Sequence, residues 1–155
     1  MSAVRTVDIP DATLLFFYKS IILYYENHVL KNPLGFYVND QQIVALLAQF
    51  GTKMTQIQSV PIIEPDTYKK KPETYVIFKQ ISVGRRKMST LVSFLGHLRN
   101  CFSHGRFSMI SIEDETYICL EDYGKKKEVE YLTMICQIPF NAFLRLVMII
   151  QQIQK

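Results

Sequence analysis

The residues best equipped for chemistry lie together between Leu98 and Gly105, which reads LRNCFSHG. Arg99 and Asn100 are adjacent, and His104 follows the asparagine by four positions. A histidine near neutral pH gives and takes protons readily. An arginine keeps its charge and can grip two phosphate oxygens with its planar fork. Asn100, one helical turn before His104, can orient the imidazole or hold a phosphate oxygen. The trio suits proton transfer beside a phosphate. Other arrangements fit less well. His97, Cys101 and His104 share a helix face at i, i+4 and i+7, but they lack a fourth ligand and any paired-cysteine motif, so no metal is expected. Ser103 lacks the G-x-S-x-G frame of a hydrolase nucleophile. No cofactor is expected.

A helix must carry the trio. Met88, Leu91, Val92, Leu95, Leu98 and Phe102 recur at intervals of three and four, filling an apolar arc of about 120°. Arg99 sits at the edge of that arc, its stem toward the core and its head beyond it. Thr90, Ser93, Gly96 and Asn100 make a face of small or polar residues that another backbone can approach closely. Gly105 is the residue type expected just past a helix end. His104 then falls at the C-terminus, where a partial negative charge favours a cation. The spacing predicts a helix from near Gly84. Regular winding sets Arg99 and His104 about 140° apart. Either the helix unwinds after Phe102, or two chains bring their motifs together.

The remaining elements follow from periodicity. A first helix is predicted over about Ile9 to Leu30, with Pro10 in its first turn and a wide apolar surface from Leu14 to Val29. Asn32 to Gly35 is a turn. A second helix, capped by Asn39 or Asp40, carries Ile43, Leu46, Leu47, Phe50, Met54 and Ile57, and stops before Pro61. Residues 61–72 read as a loop. Glu73 to Val83 fits a strand by propensity and a short helix by spacing, and the short helix is preferred. After Gly105, apolar and β-branched runs separated by Glu113-Asp114-Glu115 and Tyr123-Gly124-Lys125 predict an antiparallel meander over about 106–137. A last helix starts near Pro139. The expected fold is one mainly α domain over 1–155, an antiparallel helical bundle with a β insertion before its final helix.

The Arg-Asn, three residues, His, Gly pattern at the end of an amphipathic helix resembles the RNxxxH signature of the HEPN superfamily. Arg99, Asn100 and His104 match it position by position, over six residues. The resemblance implies a small helical domain and a metal-independent endoribonuclease. Its 2′-hydroxyl attack would leave 2′,3′-cyclic phosphate ends, as in many toxins and defence effectors. It further implies a homodimer with a composite site, for which C2 symmetry and the small-residue face are the expected means. An antitoxin protein is a possible partner. Two alternatives stay open: a catalytically silent HEPN module binding RNA, nucleotide or protein, and a structural dimerisation domain using the wide first helix.

The 155 residues suit one core, and 48% hydrophobic with 21% charged content is globular in composition. The net charge of +4 is clumped in Lys69–Lys71, Arg85-Arg86-Lys87 and Lys125–Lys127. Such runs are either solvated loop tips or a rim that gathers a phosphate backbone. Arg85, Arg86, Lys87, His97 and Arg106 are the candidate RNA contacts. Asp8 and Pro10 interrupt any secretory leader, and Leu14 to Tyr25 is too short to span a bilayer. Three cysteines without paired spacing suggest free thiols, and the expected location is cytoplasmic.

Overall fold

The computed structural model describes residues 4–31, 53–57, 74–83 and 85–153, together with Ala45 and Ala48. In chain order its elements are β1 (Val4–Val7), α1 (Asp11–Phe17), β2 (Lys53–Ile57), β3 (Tyr75–Lys79), β4 (Ser82–Val83), β5 (Arg86–Lys87), α2 (Thr90–Ser103), β6 (Phe107–Ile112), β7 (Glu115–Lys126), β8 (Val129–Pro139) and α3 (Phe140–Ile153). Past α1 the chain stays helical but π-wound through Tyr18–Leu23 and Tyr25–Val29. Leu30 N–H accordingly donates to the carbonyl of Tyr25, five residues back, at 2.8 Å.

Six strands form one sheet in the order β1-β6-β7-β8-β3-β2, antiparallel except for β2, which runs parallel to β3 at the edge. Strand alternation sends Val76 and Phe78, Ile118 and Leu120, and Met134, Cys136 and Ile138 to one face. There they join Leu91, Phe94, Leu98 and Phe102 of α2, Phe143, Leu146 and Ile150 of α3, and Phe17 and Ile21 in one buried cluster. A smaller cluster of Tyr75, Leu132 and Ile135 belongs to the other strand parity.

The mainly α bundle expected from the sequence is therefore corrected: this is an α/β fold, with three helices and a six-stranded sheet among the described residues. The meander was foreseen, but it is no insertion. Its strands β6, β7 and β8 are the middle of the sheet, bracketed by β1 and β3. Glu73 to Val83 is strand, not short helix. Tyr75 to Phe78 lies between two neighbours and is largely buried, so its apolar run is continuous and period two is masked. Lys53–Ile57, assigned to the second helix, is an edge strand, while most of that helix and the loop over 61–72 lie outside the described residues. Ser89 rather than Gly84 starts the motif helix, its hydroxyl accepting from Val92 N–H at 3.2 Å. Among the described residues no helix is long and apolar enough to cross a membrane.

The second turn of the meander also moved. Gly124 does not end β7; it lies within the strand, where an added Cβ would meet the Tyr131 ring at 3.0 Å. The reversal comes at Lys127 and Glu128, with φ of 51° and 68°, as it does at Glu113 and Asp114, with φ of 52° and 66°. Both are two-residue hairpin turns in the left-handed region, where asparagine and glycine are favoured. Lys127→Asn with Glu128→Gly is therefore expected to raise unfolding stability by about 1 kcal/mol. Urea denaturation checks this, and a lower midpoint would contradict the turn.

Candidate functional site

Helix α2 lies across the helix-facing side of the sheet with LRNCFSHG at its end. The cross-strand row Phe78–Met134 continues onto Asp122 of β7, so strand alternation delivers a carboxylate into an apolar row. Pairing then slips: Asp122 opposes Met134 while Tyr123 opposes Leu132, leaving Thr133 as the extra residue of a bulge. Asp122 is 4% exposed and His97 is 3% exposed. His97 Nδ1 lies 2.7 Å from Asp122 Oδ2, and its Nε2 lies 2.6 Å from the carbonyl of Lys79 at the end of β3. The ring stands edge-on to Phe78.

The partners define the donors. A backbone carbonyl only accepts. Asp122 already accepts from Asn100 Nδ2 at 3.1 Å on Oδ2 and from Tyr123 N–H at 2.9 Å on Oδ1. His97 Nε2 therefore donates to the Lys79 carbonyl, and Nδ1 faces the Asp122 carboxyl group, so both ring nitrogens are engaged. The His97 side chain is almost wholly buried, on the inner wall of a groove.

The three motif residues part company. Arg99 donates to Glu26 Oε1 at 2.9 Å and to Asn100 Oδ1 at 3.1 Å. Asn100 thus bridges Arg99 to Asp122 rather than orienting His104. The helix does not unwind after Phe102; it runs to Ser103, and His104 caps it with its backbone N–H on the carbonyl of Asn100 while its side chain is exposed. The structure joins Arg99 and Asn100 in one network and leaves His104 outside it.

The small-residue face is also taken. Ser93 Oγ accepts from Ile81 N–H at 3.0 Å, and a Cβ on Gly96 would stand 2.7 Å from Ile81 Cδ1 and 3.2 Å from the Tyr25 hydroxyl. The close approach expected between two chains happens within one. Cys101 is buried, its thiol donating to the carbonyl of Glu121 at 3.1 Å. Burial first, and Asp122 next, push that thiol well above the ordinary cysteine range, so it stays protonated and unreactive.

A groove of about 520 Å³ opens beside this network, walled by Lys79 to Ser82, Lys87, Asn100, the Asp122–Gly124 bulge and Thr133. Arg85, Arg86 and Lys87 stand exposed on the β4–β5 hairpin at its edge. Arg106 places its guanidinium carbon 4.3 Å from the centre of the Tyr123 ring and reaches Glu130 at 3.5 Å. Sequence reasoning missed Asp122, Tyr123 and Glu26. For Asp122 the signal existed: it shares the parity of Ile118 and Leu120, hence the buried face. No family model, curated protein or solved structure matches the chain, and among the described residues no cluster of His, Cys, Asp and Glu is gathered as a metal site.

The two pairs differ in kind. Asp122→Ala breaks a buried pair and is expected to cost about 3–5 kcal/mol. Arg99→Ala opens a pair whose side chains are 32% and 38% exposed, and is expected to cost no more than about 1 kcal/mol. Denaturant unfolding of both variants checks the order, and equal losses would contradict it.

Proposed function

We propose that the chain is an RNA-binding module in which LRNCFSHG serves mainly as architecture. One observation carries the reading. From residue 74 to residue 112 the sequence contains six Lys or Arg and no acid, more positive charge than the whole chain's net +4. That stretch folds into β3, the β4–β5 hairpin, α2 and β6, and Lys79 and Lys87 from it line the groove. Within it Arg99 and Arg106 are neutralised by Glu26 and Glu130. Arg85 and Arg86 of the hairpin face solvent. On the other side of the groove, Gly124 leads into the β7–β8 tip, where Lys125 and Lys127 are exposed. A phosphate backbone laid along the groove meets cations at both ends, and salt-sensitive binding follows.

The endoribonuclease reading is favoured by one feature, the exposed His104 imidazole, which has no partner among the described residues. It needs a second copy of the chain, because Arg99 and His104 of one copy diverge. Titrating labelled mixed RNA in EDTA at several salt concentrations separates the readings. Replacing Arg85, Arg86 and Lys87 together by alanine is expected to weaken binding at least tenfold and to lower the slope of log affinity against log salt by roughly 2. Salt-independent or absent binding would overturn the module. Fragments ending in 2′,3′-cyclic phosphate that vanish with His104→Ala would put the nuclease in its place.

A further inference from the structure

Beyond the hairpin cations, Arg106 and Tyr123 form a feature that phosphate binding does not use. Gly105, at φ +66°, turns the chain out of α2 by a conformation that side chains resist. The turn closes with Arg106 N–H donating to the carbonyl of Cys101 at 2.8 Å, three residues inside the helix end. Arg106 is thereby delivered onto the Tyr123 ring at 4.3 Å. That ring is itself fixed at both ends. Its hydroxyl donates to Glu121 Oε2 at 2.7 Å and its backbone N–H to Asp122. Burial and the Glu121 hydrogen bond push the phenol up to about 12, so it remains a neutral donor. Glu130 neutralises Arg106, and Glu121 adds negative charge nearby, so this corner repels phosphate. What it offers is a flat, preorganised surface.

Beside the stack lies a cavity of about 650 Å³ whose walls mix apolar Tyr75, Ile110 and Ile135 with the acids Glu121 and Glu130, Arg106 and Tyr123 standing at its rim. Its volume exceeds that of a nucleobase. The Arg106 side chain is partly exposed where it lines the cavity. Partly apolar walls, a stacked cation and acidic neighbours fit the face of a base and disfavour its phosphate.

We propose that the Arg106–Tyr123 stack and the adjoining cavity seat an unpaired base, which makes single-stranded RNA the ligand class. The inference rests on the RNA-binding reading and narrows it. A base inside a duplex is stacked on its neighbours and cannot enter, whereas a single strand can turn one out onto a guanidinium or aromatic plane. The cationic hairpins hold the backbone of either form, so the stack governs the preference between them.

The test compares an unstructured labelled RNA oligonucleotide with its duplex by fluorescence anisotropy, using wild type, Arg106→Lys and Tyr123→Leu. Arg106→Lys keeps the charge and loses the plane. Wild type is expected to prefer the single strand, and each variant to lower the ratio of single-strand to duplex affinity about tenfold, the scale of one stacked base. An unchanged ratio in Arg106→Lys, or equal loss on both forms, overturns the stack while leaving RNA binding intact. Failure of wild type to bind either RNA overturns both readings.

Discussion

The fold depends on a charge placed where an apolar residue would ordinarily sit. Asp122 ends a row that begins Phe78–Met134, and the His97 ring is the nearest of the groups that make its burial tolerable. Taking a carboxylate out of water costs several kcal/mol unless a cation and further hydrogen bonds meet it. Here the His97 ring, the Asn100 amide and the Tyr123 N–H all meet it. The other ring nitrogen reaches the Lys79 carbonyl and so ties the end of β3 to α2. Just beyond, Ser93 holds Ile81, Gln80 donates to the Met88 carbonyl, and Met88 N–H donates to the Ile81 carbonyl. The base of the basic hairpin is therefore tied to α2 through Ser93, one turn before the same histidine. Helix, bulge and the end of β3 meet at one buried pair.

That arrangement gives Arg99 and Asn100 partners within the chain. The arginine faces Glu26, the asparagine completes the cage around Asp122, and the glycine sends Arg106 onto Tyr123. Each residue type keeps the chemistry that made it conspicuous: a charged fork, an amide with a donor and an acceptor, a backbone free to take positive φ. What changes is the partner. The same capacities that bind phosphate in a catalytic site here bind carboxylates of the chain itself.

Much of the local structure was legible. The apolar spacing of α2, its end at Gly105, the start of α3 at Pro139 and the meander between them all follow from period and capping chemistry. The fold class did not, for two reasons. Strand β3, flanked on both sides and largely buried, shows no alternation in Tyr75 to Phe78. The four residues of β1 are too few for a period to register, and they are strand because β6 offers them a partner. Gly124 misled for a different reason. A glycine in a strand signals close approach as readily as a turn, and only the Tyr131 ring opposite decides between them. Asp122 was readable from parity with Ile118 and Leu120, whereas its match to His97, 25 residues away in sequence, is a tertiary fact.

The account stands on the His97 ring being held at both nitrogens, by Asp122 and by the Lys79 carbonyl. Long-range ¹H–¹⁵N correlation spectra of the histidine side chains in the folded protein at neutral pH test this directly. Two hydrogen-bonded ring nitrogens for His97, with resonances lost in Asp122→Ala, are the expected result. A ring with one nitrogen carrying a free lone pair would contradict the buried pair and the architecture drawn from it.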